Sequence, residues 1–211
     1  MADLMTEIAE KVIEGDPDGV KELTQKAIDE QRDVEEILNK GLLAGMDVVG
    51  VRFRDGELFI PEVLVRANAL GAGRDLLKPL IIKSGIKPIA KFVIGTVKGD
   101  IHEIGKSLVA MMLEGSGFEV VDLGTDVSAE KFVEAVKQEK PQILAMSSLL
   151  TTTMGEMGLV IETLKEEGLL DKVKTMVGGA PISQSFADEI GADGYASDGL
   201  SAAAKAKELL A

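Results

Sequence analysis

The sequence predicts two joined folding units, an all-helical bundle followed by an α/β domain built on a parallel sheet. Three observations carry this reading. Up to about residue 83 the apolar residues recur at helical spacing, from Lys91 they condense into short runs that are apolar on both faces, and those runs alternate with amphipathic helical stretches. A strand covered by helices on both sides of its sheet has no solvent-facing side, so it reads as an unbroken apolar run rather than an alternation.

In the first segment Leu4, Ile8 and Val12 share one helix face, Val20, Leu23 and Ala27 a second, and Val34, Ile37, Leu38, Leu42, Met46, Val49 and Phe53 a third. The start signals agree. Asp16-Pro17 puts proline at a first helical position, Asp33 is followed three residues later by Glu36 as in a capping box, and Pro61 opens the run EVLVRANALGAGRDLLKPLI. Four helices with short connections make a four-helix bundle over residues 1–88, whose last five residues, SGIKP, are the linker.

Residues 89–211 contain the strand candidates KFVIGTV, FEVVDL, QILAMSS and VKTMVG, with a short fifth around Gly194-Tyr195. Helices are expected near 105–116, 129–139, 154–167, 183–190 and 199–210. Such an alternation makes a Rossmann-like (flavodoxin-like) doubly wound sheet, which binds ligands at the carboxyl ends of its strands where the strand order reverses.

Composition removes several function classes. With 211 residues and 45% apolar content the chain can bury a core without staples, and with no cysteine it has neither disulfides nor thiolate metal ligands. A net charge of −13 repels a polyanionic backbone, so nucleic acid is not an expected partner; 3% aromatic content and no tryptophan argue against base-stacking surfaces. The N-terminus MADLMTEIAEK is acidic and amphipathic, unlike a signal peptide, and no stretch approaches a membrane span, so the expected location is the cytoplasm.

The stretch GDIHEIGKS, residues 99–107, ends the first strand and holds the only histidine. It closes in Gly-Lys-Ser like a phosphate loop, but five residues separate Gly99 from Gly105 where that loop needs four, and two of the five are acidic. Carboxylates where phosphate oxygens should lie oppose binding of a polyanion. A metal uses the same residues better. An aspartate two positions before a histidine can reach the ring nitrogen not used for ligation, fixing the tautomer and raising ligand basicity. Asp100 is then the orienter and His102 the ligand. Without a cysteine or a second histidine a protein-only zinc or copper site is implausible, so the metal must bring most of its own ligands.

A macrocycle does so, and DIHEIG, residues 100–105, resembles the Asp-x-His-x-x-Gly signature of cobalamin-binding domains that hold cobalt base-off and histidine-on. That family continues with Ser-x-Leu and then Gly-Gly. Here Ser147-Ser148-Leu149 follows Gly105 after 41 residues, and Gly178-Gly179 follows Leu149 after 28. GMDVVGVRFRDGELFIPEVLVRA, residues 45–67, resembles the helical cap that precedes this module in methionine synthase and in corrinoid proteins of methyltransferase systems. Together the two resemblances span nearly the whole chain.

The resemblance implies a role for each matching residue. His102 becomes the lower axial ligand of cobalt, Asp100 accepts from its other nitrogen, and Thr153 stands where methionine synthase completes this relay with a serine. Ile101 and Glu103 fill the variable positions of the motif at the cofactor. Ser147 bonds the displaced nucleotide tail, Leu149 lines its channel and Thr151 lies along the same pocket. Gly105, Gly178 and Gly179 admit the tail by lacking side chains; Ala180, Tyr195, Ala196, Ser197 and Asp198 follow later strands at the same edge. Met46 and Phe53 are expected in the bundle core, and Phe59 over the upper corrin face. Lys106 and Ser107 are expected only to begin a helix.

The function implied is that of a methyl carrier which takes a methyl group from a donor-specific methyltransferase and yields it to an acceptor methyltransferase, with a reductive activator protein as a further candidate partner. The cofactor is cobalamin, cycling between methylcobalamin and cob(I)alamin. The alternatives are the cobalamin component of an adenosylcobalamin-dependent mutase, whose modules normally lack the cap, and a cobalamin sensor, which usually brings a DNA-binding segment. Methanol, methylamines, betaines and aromatic methyl ethers are all open as donors, and a folate or a thiol such as coenzyme M as acceptor.

Overall fold

The computed structural model describes residues 3–211 apart from the side chain of Ile82. Contacts divide the chain into one unit that runs to Lys87 and takes in Gly115–Gly117, and a second of Pro88–Glu114 with Phe118–Ala211.

In the first unit α1 (Leu4–Glu14) ends at Gly15, whose φ of 76° lets the chain turn left-handed, and α2 (Pro17–Asp29) starts at Asp16, whose carboxylate accepts the Gly19 N–H at 2.9 Å. The third helical stretch begins as α3 (Val34–Glu36), capped by Asp33, widens into a π-helical segment (Ile37–Leu43) and continues as α4 (Ala44–Arg54). The step from Ile37 to Leu42 is one residue too long for neighbours on an α-helix, and the wider turn absorbs it, so both side chains are fully buried. The helix α5 (Ile60–Ser84) completes the bundle. Met46 is buried as expected; Phe53 is only half-buried, because it lies in the last turn before the chain leaves α4.

In the second unit β1 (Lys91–Thr96), β2 (Glu119–Asp122), β3 (Ile143–Ser147), β4 (Lys174–Gly178) and β5 (Gly194–Ala196) form one sheet in the order β2-β1-β3-β4-β5, every pair parallel. The helices are α6 (Ile104–Gly115), α7 (Ala129–Glu139), α8 (Gly155–Glu166), α9 (Gln184–Ile190) and α10 (Gly199–Leu209). Successive residues of β1 serve opposite faces. Val93 joins Phe132, Leu144 and Met157 under α7 and α8, whereas Phe92 and Ile94 join Leu113, Ile143 and Ala203 under α6 and α10. Glycine stands at 95 because a β-carbon there would lie 2.9 Å from the Phe132 ring.

The strand order turns back between β1 and β3. The loops that leave the carboxyl ends of these two strands therefore diverge from a common point, and they carry GDIHEIG and SLLTTTM.

Candidate functional site

The two loops are joined by one carboxylate. Asp100 is fully buried, yet among the described residues no lysine or arginine pairs with it; hydrogen-bond donors converge on it instead. Its Oδ1 accepts the His102 backbone N–H at 2.9 Å and faces His102 Nδ1 at 2.7 Å. Its Oδ2 accepts the Leu149 N–H at 2.7 Å and the hydroxyls of Thr153 at 3.3 Å and Ser148 at 3.4 Å. Burial pushes the Asp100 carboxyl up, but the backbone N–H groups of His102 and Leu149, then the His102 ring, outweigh it and bring the pKa from 3.8 to about 2.

The tautomer of the imidazole follows. An ionised carboxylate only accepts, so Nδ1 must carry the proton, and in the neutral ring the Nε2 lone pair is free. Nε2 has no partner among the described residues, and the His102 side chain is 48% exposed. The main chain is held as firmly as the ring: Thr96, fully buried at the end of β1, donates its hydroxyl to the His102 carbonyl at 2.9 Å.

Ser148 and Thr153 extend the network. Their hydroxyls lie 2.9 Å apart, and each reaches the Leu150 carbonyl at 3.1 Å. Thr153 thus lies in hydroxyl contact with Asp100, and its methyl turns toward Gly99, where a β-carbon would meet Thr153 Cγ2 at 3.3 Å. Ser147, by contrast, is half-buried and its hydroxyl has no partner among the described residues. Sequence reasoning missed Ser148 because a strand end presents alternate residues to alternate sides, and the side facing Asp100 depends on a loop 48 positions away.

The three glycines differ. A β-carbon at Gly105 would meet nothing within 4 Å. At Gly178 it would lie 2.8 Å from the Ala196 carbonyl oxygen, and at Gly179, where φ is 130°, 1.9 Å from that of Ser148. The space left by the last two is filled by the protein's own backbone, so close strand approach already requires glycine at both. Among the later positions Ala180 is exposed, Ala196 packs into the core with α10, and Tyr195, in register with Val177, packs against the apolar cluster on the opposite face. Asp198 spends Oδ1 on the Leu200 and Ser201 N–H groups as an N-cap and accepts the Ser197 hydroxyl on Oδ2. Thr151 and Glu103 are exposed. In the first unit Phe59 is 69% exposed at the start of α5, its N–H donated to Glu62.

Lys106 does more than begin a helix. Its side chain is buried and ion-paired with Asp122 at the end of β2, so its charge is matched within the protein, a second observation against the phosphate-loop reading of Gly-Lys-Ser. Among the described residues no three His, Cys, Asp or Glu side chains converge on a metal position, so the protein alone offers no metal site. No described helix is long and apolar enough to cross a membrane.

Known proteins resemble this chain along nearly its whole length. The B12 binding domain family matches twice, over residues 90–204 and, through a second B12 binding domain model, over residues 4–78. The dimethylamine corrinoid protein of Methanosarcina barkeri is 49% identical over 211 residues, covering 99% of this chain and 98% of its own. Trimethylamine corrinoid protein 2 of Methanosarcina mazei is 45% identical, covering 99% of this chain and 96% of its own. Among solved structures, the methanol:cobalamin methyltransferase complex MtaBC from Methanosarcina barkeri matches with a TM-score of 0.87 and 34% identity over 98% of this chain and 79% of that one. A cobalamin-binding protein from Desulfitobacterium hafniense DCB-2 matches with a TM-score of 0.82 and 32% identity, covering 99% of both chains. Over both of its units, the chain belongs to the B12-binding family of corrinoid proteins.

Proposed function

We propose that this protein is the methyl carrier of a methylamine-type methyltransferase system, holding its corrinoid base-off with His102 as the lower ligand of cobalt. The observation that supports this most is the Asp100–His102 pair: a buried carboxylate fixes the imidazole proton on Nδ1 and leaves Nε2 open at the sheet edge where the strand order reverses. The di- and trimethylamine corrinoid proteins among its relatives favour a methylated amine as the ultimate donor over methanol, betaines or aryl ethers.

The residues fit such a cofactor. Position 105 is open space, and the rim around His102 is apolar and solvent-facing: Ile101 and Ile104 are 76% and 72% exposed, with Leu149 and Leu150 beside them. Exposed aliphatic groups gathered at a polar histidine suit the face of a large, flat ligand. Bound there, the corrinoid supplies a cobalt centre that accepts a methyl group and releases it to a second acceptor. The protein's own part is orientation and shelter. Asp100 holds the Nδ1 proton, Ser148 and Thr153 hold Asp100, Thr96 holds the His102 main chain, and the aliphatic rim excludes water. Gly105 leaves room for the displaced nucleotide tail, and Ser147 offers it a free hydroxyl. The partners are a donor-specific methyltransferase, an acceptor methyltransferase acting on a thiol or folate, and a reductive activator.

Incubation with methylcobalamin, desalting and absorption spectroscopy test the reading. The wild-type protein is expected to retain corrinoid with a histidine-coordinated spectrum. His102→Ala should keep much of the corrinoid with an altered spectrum and slow transfer of the methyl group to coenzyme M in the presence of the partner enzymes. An unchanged spectrum in the folded variant contradicts the assignment.

A further inference from the structure

We infer that Asp126, in the turn between β2 and α7, is a positioning residue that aims His102. Its Oδ1 accepts the Gly99 N–H at 2.7 Å and its own N–H donates to the Asp100 carbonyl at 2.9 Å, so one residue grips the chain on both sides of the 99–100 peptide. The grip extends β1 beyond its last strand residue: Thr96 N–H bonds the Gly124 carbonyl, Val127 N–H bonds the Thr96 carbonyl, and Val97 and Val127 form a parallel bridge.

The backbone of Asp126 gives the second observation. Its φ is 54°, and the only other non-glycine residues with positive φ among the described residues are Gln31 and Lys140. Those two follow the ends of α2 and α7, where a left-handed residue is the ordinary way to stop a helix. Asp126 ends no helix. A left-handed conformation away from a helix end costs energy and persists where the surroundings over-determine it; aspartate is among the few residues that tolerate it. Here the surroundings are the two bonds to Gly99 and Asp100. Because the Asp100 side chain sets the imidazole direction, a shift of its main chain is passed to Nε2.

The importance of that direction rests on the cofactor role proposed for His102, but the clamp is testable without corrinoid, so its failure leaves the cofactor reading untouched. The sole histidine makes the ring nitrogens unambiguous in nitrogen-15 NMR of the apoprotein. Asp126→Gly relieves the backbone and removes the acceptor; Asp126→Asn keeps an acceptor and tolerates the same φ. The glycine variant is expected to unfold close to the wild-type urea concentration, yet to exchange its Gly99 amide about tenfold faster or more, the loss of one hydrogen bond to a carboxylate, with the His102 ring divided between tautomers. The asparagine variant should restore both readouts. Wild-type Gly99 protection and a single Nδ1–H tautomer in Asp126→Gly overturn the inference, as does an asparagine variant that fails to restore them. If the glycine variant does not fold, Asp126→Ala, which likewise lacks the acceptor, decides on the same two outcomes.

Discussion

Asp100→Asn isolates the carboxylate on which the site is built. The amide has one accepting and one donating end, whereas the carboxylate only accepts. Whichever way the amide turns, its NH2 meets donors: the Leu149 N–H on one side, or the His102 N–H and Nδ1–H on the other. The second orientation drives the imidazole to the wrong tautomer. The difference between 3.8 and about 2 in the Asp100 pKa corresponds to about 2 kcal/mol of stability at neutral pH. A single hydrogen bond to a charged group is worth about 1.5–3 kcal/mol, so both routes give the same size of effect. Folding lowers this pKa, so the contribution is present in full above 3.8 and is lost as the pH falls toward about 2. Tyr195, the only tyrosine in a chain without tryptophan, lies in β5 and reports unfolding of the sheet unit by its fluorescence. Urea titrations should find the variant less stable by about 2 kcal/mol near neutral pH, with the gap closing toward the acid limit. Equal midpoints at neutral pH, or a gap that persists undiminished in acid, would refute the reasoning.

Three further outcomes follow from the same geometry. Ser148→Ala and Thr153→Ala should each cost about 1 kcal/mol, and the double variant should cost less than the sum, because the two hydroxyls bond each other as well as Asp100; strict additivity in the Tyr195-reported titrations would show that they act separately. Gly105→Ala should fold within about 1 kcal/mol of wild type, alanine being the better helix former, while retaining less corrinoid after desalting. Gly179→Ala should be destabilised by more than about 3 kcal/mol or fail to accumulate, since its β-carbon would collide with the Ser148 carbonyl oxygen; normal stability of that variant would contradict the backbone packing.

The parts of this molecule that were legible in the sequence are those whose cause is local. KFVIGTV reads as a strand covered by helices because both of its faces are apolar, and β1 does carry helices on each side of the sheet. The two-residue spacing of Asp100 and His102 is itself the geometry of their bond, so that pair could be foreseen. What escaped depends on residues far apart in the chain. Ser148 meets Asp100 across 48 positions, Lys106 finds Asp122 on the edge strand, and Asp126 grips Gly99 across a turn whose docking no local pattern announces. Gly178 and Gly179 were expected to admit the nucleotide tail by lacking side chains; in the structure a side chain at either is excluded by the backbone of β5 and of the β3 loop. The π-helical segment was hidden because its residues keep an amphipathic pattern, and only the five-residue step between two buried positions betrays it.

One measurement reaches the central claim directly. The chain has a single histidine, so growth on nitrogen-15 histidine labels one imidazole and leaves the cofactor's own base as nitrogen-14. In the paramagnetic cobalt(II) form of the bound corrinoid, the axial nitrogen splits the electron resonance lines, into doublets for nitrogen-15 and triplets for nitrogen-14. Doublets in the labelled protein are the predicted result, with His102 on cobalt; triplets identical to those of the unlabelled protein would place the cofactor's own base there instead and contradict the account.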